Sequence, residues 1–313
     1  MHISHMDFML AALTAPLALQ LFIGLSGFGA FTLAAVSESQ AESRKKVFFS
    51  KFAQQISKMG VFLVVYVVIA VAGSAVFLTM RHSAAFALWV ENPMLSAPLA
   101  VALAVTATLC LAYRTTWESL KNNKALHRLL GFGAVAGSWA VFFVSLTMKL
   151  FALKTPPDLT WPVSASQVIG MARFACFWPL LLQAILLSMA CAGAMGLIYL
   201  LLRREKDDFG RDYYNFAVKH CAKWAVFPSL AQIPAQAWFV SMLWEPITNT
   251  GSKNPVLMFS GAGIVFIAGA CALWTGVIKA QNPLRQKPLM FAGAFCLWAA
   301  LTGIAAADLY IFL

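Results

Sequence analysis

A few polar side chains in this largely apolar sequence have the type and placement to do chemistry: His2, His5 and His82, and the cations Lys149 and Arg173. Imidazole is a usual axial ligand of b-type haem, so His82 and His5 could ligate one haem or contact a haem held by a partner. The plainer reading is three histidines at a membrane interface. Lys149 and Arg173 fall within the ends of apolar runs, where an intramembrane charge is expensive and marks a functional candidate. They either reach out to the interface along their own alkyl stems or hold an anionic group: a quinone oxygen, a haem propionate or a lipid phosphate. Haem b and quinone are therefore the cofactors to consider. Asp308 and Glu245 are the remaining acids near the same boundary, as proton-handling groups or as solvated carboxylates. Six scattered cysteines form no C-x-x-C or C-x-x-C-H spacing, and no phosphate-binding loop, Ser/His/Asp constellation or metal-spaced cluster is present.

The elements that must position these residues are membrane spans. Of 313 residues, 61% are hydrophobic and 11% charged, and mean hydropathy is +0.76. A soluble chain carries roughly a quarter charged residues. The solvent for most of this one must be lipid. Eight apolar runs are long enough to cross a bilayer: 7–36, 54–80, 94–113, 129–153, 170–202, 221–244, 255–279 and 287–312. The first lacks a basic flank before it and reads as a retained helix, not a cleaved signal. The longer connections, near 37–53, 154–169 and 203–220, leave no room for a soluble domain.

Charge orients the spans. Net charge is +11, and 18 of the 23 Lys and Arg residues lie in or beside the loops after helices one, three, five and seven. By the positive-inside rule those loops are cytoplasmic and both termini are extracytoplasmic. The histidines at positions 2, 5 and 82, with Lys149 and Arg173, then share the outer side. The basic residues serve topology, and nucleic acid is not a partner.

Small residues recur where helices should approach: Gly24, Gly27 and Gly29 in helix one, Gly131, Gly133 and Gly137 in helix four, Gly193 and Gly196 in helix five, Gly261, Gly263 and Gly269 in helix seven. They suit close helix packing in lipid, or room for a flat cofactor or quinone ring. Pro179 in helix five, and Pro228 and Pro234 in helix six, predict kinks. Gln232 and Gln236 sit one turn apart on one face of helix six. In hydrocarbon they must face protein, as glue between helices or as lining for a polar ligand.

The hairpin from Ala97 to Pro156 carries a resemblance. Ala97-Pro98-Leu99-Ala100 opens helix three, Trp117 and Leu120 lie in its basic hinge, and His127 begins the return. Gly137-Ser138 sit inside helix four, and Phe151 to Pro156 form its exit. Lys51, Lys58-Met59-Gly60, Gly73 and Arg173-Phe174 continue the pattern. In order and spacing the chain resembles subunit I of the cytochrome bd quinol oxidases over nearly its whole length. The resemblance implies two four-helix bundles side by side, at 1–156 and 157–313, and partners that include a second bd-like subunit and cytochromes. It also implies a prokaryotic cytoplasmic membrane.

The departures are as specific. The family carries a ninth helix and a long quinol-binding loop between helices six and seven; here Glu245 to Asn254 is all that joins them. The family's haem ligands are a His in helix one, a Glu in helix three, a His in helix five with a Met in helix seven, and a Glu in helix eight. Here no His lies between His5 and His82 or between His127 and His220, Ala102 stands at the helix-three position, Thr302 at the helix-eight position, and Met258 lacks a His partner. The expectation is therefore an all-α integral membrane subunit of a respiratory complex, keeping the scaffold without the three-haem centre. Two alternatives stay open: a subunit with one b haem on the outer histidines, and a small-solute transporter using helix six. A reduced-minus-oxidised spectrum of the purified protein tests the histidine reading. A b-type α band is expected if His5 and His82 share a haem, and its absence removes that reading.

Overall fold

The computed structural model describes residues 5–81, 93–154, 164–207, 209–249 and 253–312, and the regular structure among them is helical throughout. Eight long helices carry the chain: α1 (His5–Arg44), α2 (Val47–Arg81), α3 (Pro93–Thr115), α4 (Lys124–Lys154), α5 (Phe177–Arg203), α6 (Arg211–Met242), α7 (Lys253–Lys279) and α8 (Lys287–Phe312). Short helices at Ala165–Gly170 and Trp244–Asn249 precede α5 and α7. Seven of the long helices are apolar enough to cross a membrane; α6 is long enough, but does not reach the same apolarity. Its two prolines, two glutamines and Ser229 are the cause, and all but Pro234 of these are buried.

Three helix boundaries depart from the hydropathy reading. The stretch 37–53 is expected as a loop, yet α1 runs on to Arg44 and α2 starts at Val47, with Lys45 in the left-handed region at φ 51°. Glu38 and Glu42 explain the extension, because each is held by a partner on a neighbouring helix end: Glu38 by His127 and Tyr113, Glu42 by Arg128. Helix six begins at Arg211, ten residues before the apolar run. Its added turns bury Tyr213, Tyr214, Ala217 and Val218 at helical spacing, an amphipathic face that a hydropathy window averages away. Helix five begins at Phe177, after a break at Met171–Arg173. Pro179 thus sits in the first turn of α5, where its missing N–H breaks no helical bond, and the expected kink does not arise there.

Helix α1 is the hub. It packs on α2, α4, α5 and α8, while α2–α3 and α3–α4 complete one circuit of helices and α5–α6, α6–α7, α7–α8 and α8–α5 another. The largest apolar core runs across both circuits, from Phe22 and Leu33 of α1 and Phe52 and Ile56 of α2 to Leu197, Tyr213 and Trp274. Two glycines set the closest approaches. A Cβ on Gly29 would overlap the backbone carbonyl of Ser188 in α5, and one on Gly193 would lie 2.5 Å from the backbone nitrogen of Ala225 in α6. The helices meet backbone to backbone at these points, so the small residues there serve packing and leave no slot for a flat ring.

Gly261 and Gly269 of α7 differ, since a Cβ at either meets nothing within 4 Å. Gly29→Val is therefore expected to lower stability by about 3 kcal/mol, since overpacking against backbone has no flexible neighbour to give way. Gly269→Val should change it by less than about 0.5 kcal/mol. Unfolding of the two variants in detergent micelles checks the contrast.

Candidate functional site

Of the residues singled out by sequence, His82 lies outside the described residues, as does His2; His5 opens α1, with its side chain outside what is described. Lys149 lies near the end of α4 opposite the basic loops, its Nζ 3.4 Å from Oδ2 of Asp308 on α8. The pair joins the last helices of the two circuits. With the lysine side chain 40% exposed, it contributes at most about 1 kcal/mol. Lys149 and Asp308 are thus brought together. Arg173 is exposed at the end of the turn Met171–Arg173, and Glu245 is exposed in the helix Trp244–Asn249.

The glutamines of α6 do face protein. Gln232 and Gln236 are fully buried, and Gln236 Nε2 donates to Ser260 Oγ of α7 at 3.3 Å. Gln183 of α5 joins from the other side, donating to the Ala235 carbonyl at 3.3 Å. Among the described residues, both polar atoms of Gln232, the Gln236 carbonyl oxygen and Ser229 Oγ have no hydrogen-bonding partner. A buried amide left unsatisfied costs about 1–3 kcal/mol. The cluster keeps unused hydrogen-bonding capacity inside the bundle, and none of its members ionises to carry a proton.

Two denser polar networks close the basic end, and sequence reasoning missed both. In the first, His127 of α4 is buried between Glu38 of α1 and Tyr113 of α3. His127 Nδ1 lies 2.7 Å from Glu38 Oε1, His127 Nε2 lies 3.0 Å from the Tyr113 carbonyl, and Tyr113 Oη donates to Glu38 Oε2 at 2.8 Å. The Tyr113 carbonyl can only accept, so Nε2 carries the hydrogen there and Nδ1 faces the Glu38 carboxyl. Trp117 packs against it at 4.5 Å between ring centroids. The partners stand 75 and 89 residues from Glu38 in the chain, and no local spacing announces them.

In the second network, Arg203 at the end of α5 grips Asp207 through two bonds of 3.0 Å. Gln55 of α2 donates to Asp207 Oδ2 at 3.3 Å and accepts from Tyr213 Oη at 2.7 Å, and Tyr214 Oη donates to the Asp207 carbonyl. Burial raises the Asp207 carboxyl, but the bonds from Arg203 and Gln55 and the charges of Arg203 and Lys58 outweigh it and hold it below the ordinary 3.8.

The haem-ligand positions of the resembled family can now be tested against their surroundings. Ala102 packs in the α3 core, and its carbonyl accepts from Thr106 Oγ1 at 2.7 Å. Thr302 turns its hydroxyl back onto the Trp298 carbonyl at 3.0 Å. Met258 packs beside Phe259, Ala306 and Ala307. Among the described residues no three His, Cys, Asp or Glu side chains gather to hold a metal ion. The residues at these positions do not fit a three-haem centre.

No protein-family model and no curated protein sequence matches the chain. Among solved structures it is similar to the bd oxidase from Geobacillus thermodenitrificans, with a TM-score of 0.70 over 97% of this chain and 87% of that one. Sequence identity is 12%, so the likeness is one of fold. The chain is a helical membrane protein with a bd-oxidase-like fold.

Two outcomes follow from the polar clusters. Gln232→Leu should raise the unfolding midpoint, because it removes two unpaired buried polar atoms while filling much of the same volume, whereas Gln232→Ala should lower it. Asp207→Asn should cost about 1–3 kcal/mol at neutral pH. Since the folded carboxyl lies below its ordinary value, its stabilisation is complete above about pH 4 and is lost as pH falls through the folded value. Unfolding followed from pH 7 to pH 3 should therefore show the wild type approaching the variant on acidification.

Proposed function

We propose that this chain is a membrane-embedded subunit of a respiratory electron-transfer complex, standing where subunit I stands in a bd oxidase and lacking that family's three-haem oxygen-reducing centre. The observation that carries the proposal is the bd-like fold over 97% of the chain combined with packed, non-ligating side chains at Ala102 and Thr302. The chain would act as a scaffold for redox partners in the cytoplasmic membrane of a prokaryote. Its basic loops would lie in the cytoplasm and both termini outside. The two circuits of helices support a division into bundles at 1–156 and 157–313. Quinone contact, if the complex has it, would use Lys149 and Arg173 at the outer boundary, since the short Glu245–Asn254 connection cannot form a family-type quinol loop.

Helix α2 supplies the surface for a partner. From Val65 to Met80 none of its described side chains is buried, and Phe62, Ile69, Val76 and Phe77 are each more than half exposed. A second bd-like subunit or a cytochrome subunit seated there would bury that half of the helix. The unpaired amides of Gln232 favour a second reading, a carrier of a small polar solute.

Purification of the native protein in mild detergent separates the two. Haem- or iron–sulfur-bearing companions, cross-linked from a photoreactive residue at Ile69 or Phe77, are the expected result. A solitary chain that binds a polar solute, and loses it in Gln232→Leu, would contradict the proposal.

A further inference from the structure

A cavity of about 990 Å³ opens at the basic end, between the α1–α2 turn and α6. Its mouth carries four cations, Arg44, Lys46, Lys219 and Lys223, and no Asp or Glu lines it. None of the four makes an ion pair among the described residues; the nearby Glu42 of α1 is taken by Arg128. Such a concentration of like charge repels itself, and a bound anion would relieve it.

The deeper wall is of another kind. Lys219, Lys223, Phe227 and Ala231 follow one another at single-turn spacing down one stripe of α6, all of them lining the cavity. Two cationic turns thus give way to two apolar ones over about 18 Å of helix. Leu186 and Met189 of α5 continue the apolar wall, and Phe227, 66% exposed, leaves the groove open sideways to hydrocarbon. The floor between the two regions is fixed. His220 is held by Trp224 Nε1, which donates to its Nε2 at 3.2 Å, with Ser37 Oγ 3.1 Å away.

We propose that this groove is a binding site for an anionic phospholipid. The phosphate sits among Arg44, Lys46, Lys219 and Lys223, and one acyl chain lies along Phe227, Ala231, Leu186 and Met189. The charge pattern selects an anionic headgroup over a zwitterionic one. The order of cations and then apolar side chains along a single stripe selects an amphiphile over a free anion. Its position at the basic end matches the leaflet in which anionic headgroups meet cytoplasmic loops.

Native mass spectrometry of the full chain, purified with whatever subunits accompany it, tests the site with phosphatidylglycerol and phosphatidylcholine of matched acyl chains. Phosphatidylglycerol should be retained preferentially. Lys219→Gln with Lys223→Gln should weaken it about 25-fold, at about fivefold per cation removed, and leave phosphatidylcholine unchanged. Phe227→Ser should weaken retention of phosphatidylglycerol while leaving the four cations in place. Unfolding of each variant in lipid-free detergent, unchanged from wild type, shows that the fold is intact. Equal retention of the two lipids, or a charge variant that retains phosphatidylglycerol as the wild type does, overturns the proposal. Protection by inorganic phosphate equal to that by phosphatidylglycerol, or a partner helix cross-linked to residue 227 with the lipid absent, overturns it as well.

Discussion

The contact on which the structure depends is the crossing of α1 and α5, where Gly29 lets two backbones touch at Ser188. In lipid there is no hydrophobic drive between helices, so association rests on close packing and on whatever polar groups can be paired. Gly193 repeats the device between α5 and α6. From these crossings the two circuits of helices acquire a shared core, and α1, touching four other helices, cannot move without both. At these crossings backbone lies against backbone, with no gap for a flat ring.

The ends of the bundle are held differently. At the basic end, polar side chains outside the apolar runs tie helix to helix: Glu38 with His127 and Tyr113, and Asp207 with Arg203, Gln55 and the Tyr213–Tyr214 pair. At the other end, Lys149 of α4 pairs with Asp308 of α8. The exposed flank of α2 lies toward that same end.

Much of this was legible in the sequence, for identifiable reasons. Runs of apolar residues locate helices in lipid because the bilayer demands length and apolarity together, and seven of the eight expected spans meet that standard in the structure. The inward orientation of Gln232 and Gln236 followed from their single-turn spacing and from the expense of an amide facing hydrocarbon. What escaped was polar helix. Ser37–Arg44 and Arg211–His220 carry too many charges to register as spans, yet they fold as helix, with Glu38 and Glu42 paired to residues far off in the chain and Tyr213, Tyr214, Ala217 and Val218 buried. The Glu38–His127–Tyr113 network escaped for the same reason, since its members belong to three helices. His82 and the side chain of His5, the residues proposed for haem contact, lie outside the described residues, while Lys149 lies on α4 and Arg173 in the turn that precedes α5.

The central proposal is a bd-oxidase-like fold without a three-haem centre, and haem stoichiometry of the chain purified free of its companions tests it most directly. Extracted haem is quantified per polypeptide and its type identified. The account predicts no d-type haem and far fewer than three haems per chain. Three haems per chain, one of them d-type, would contradict it.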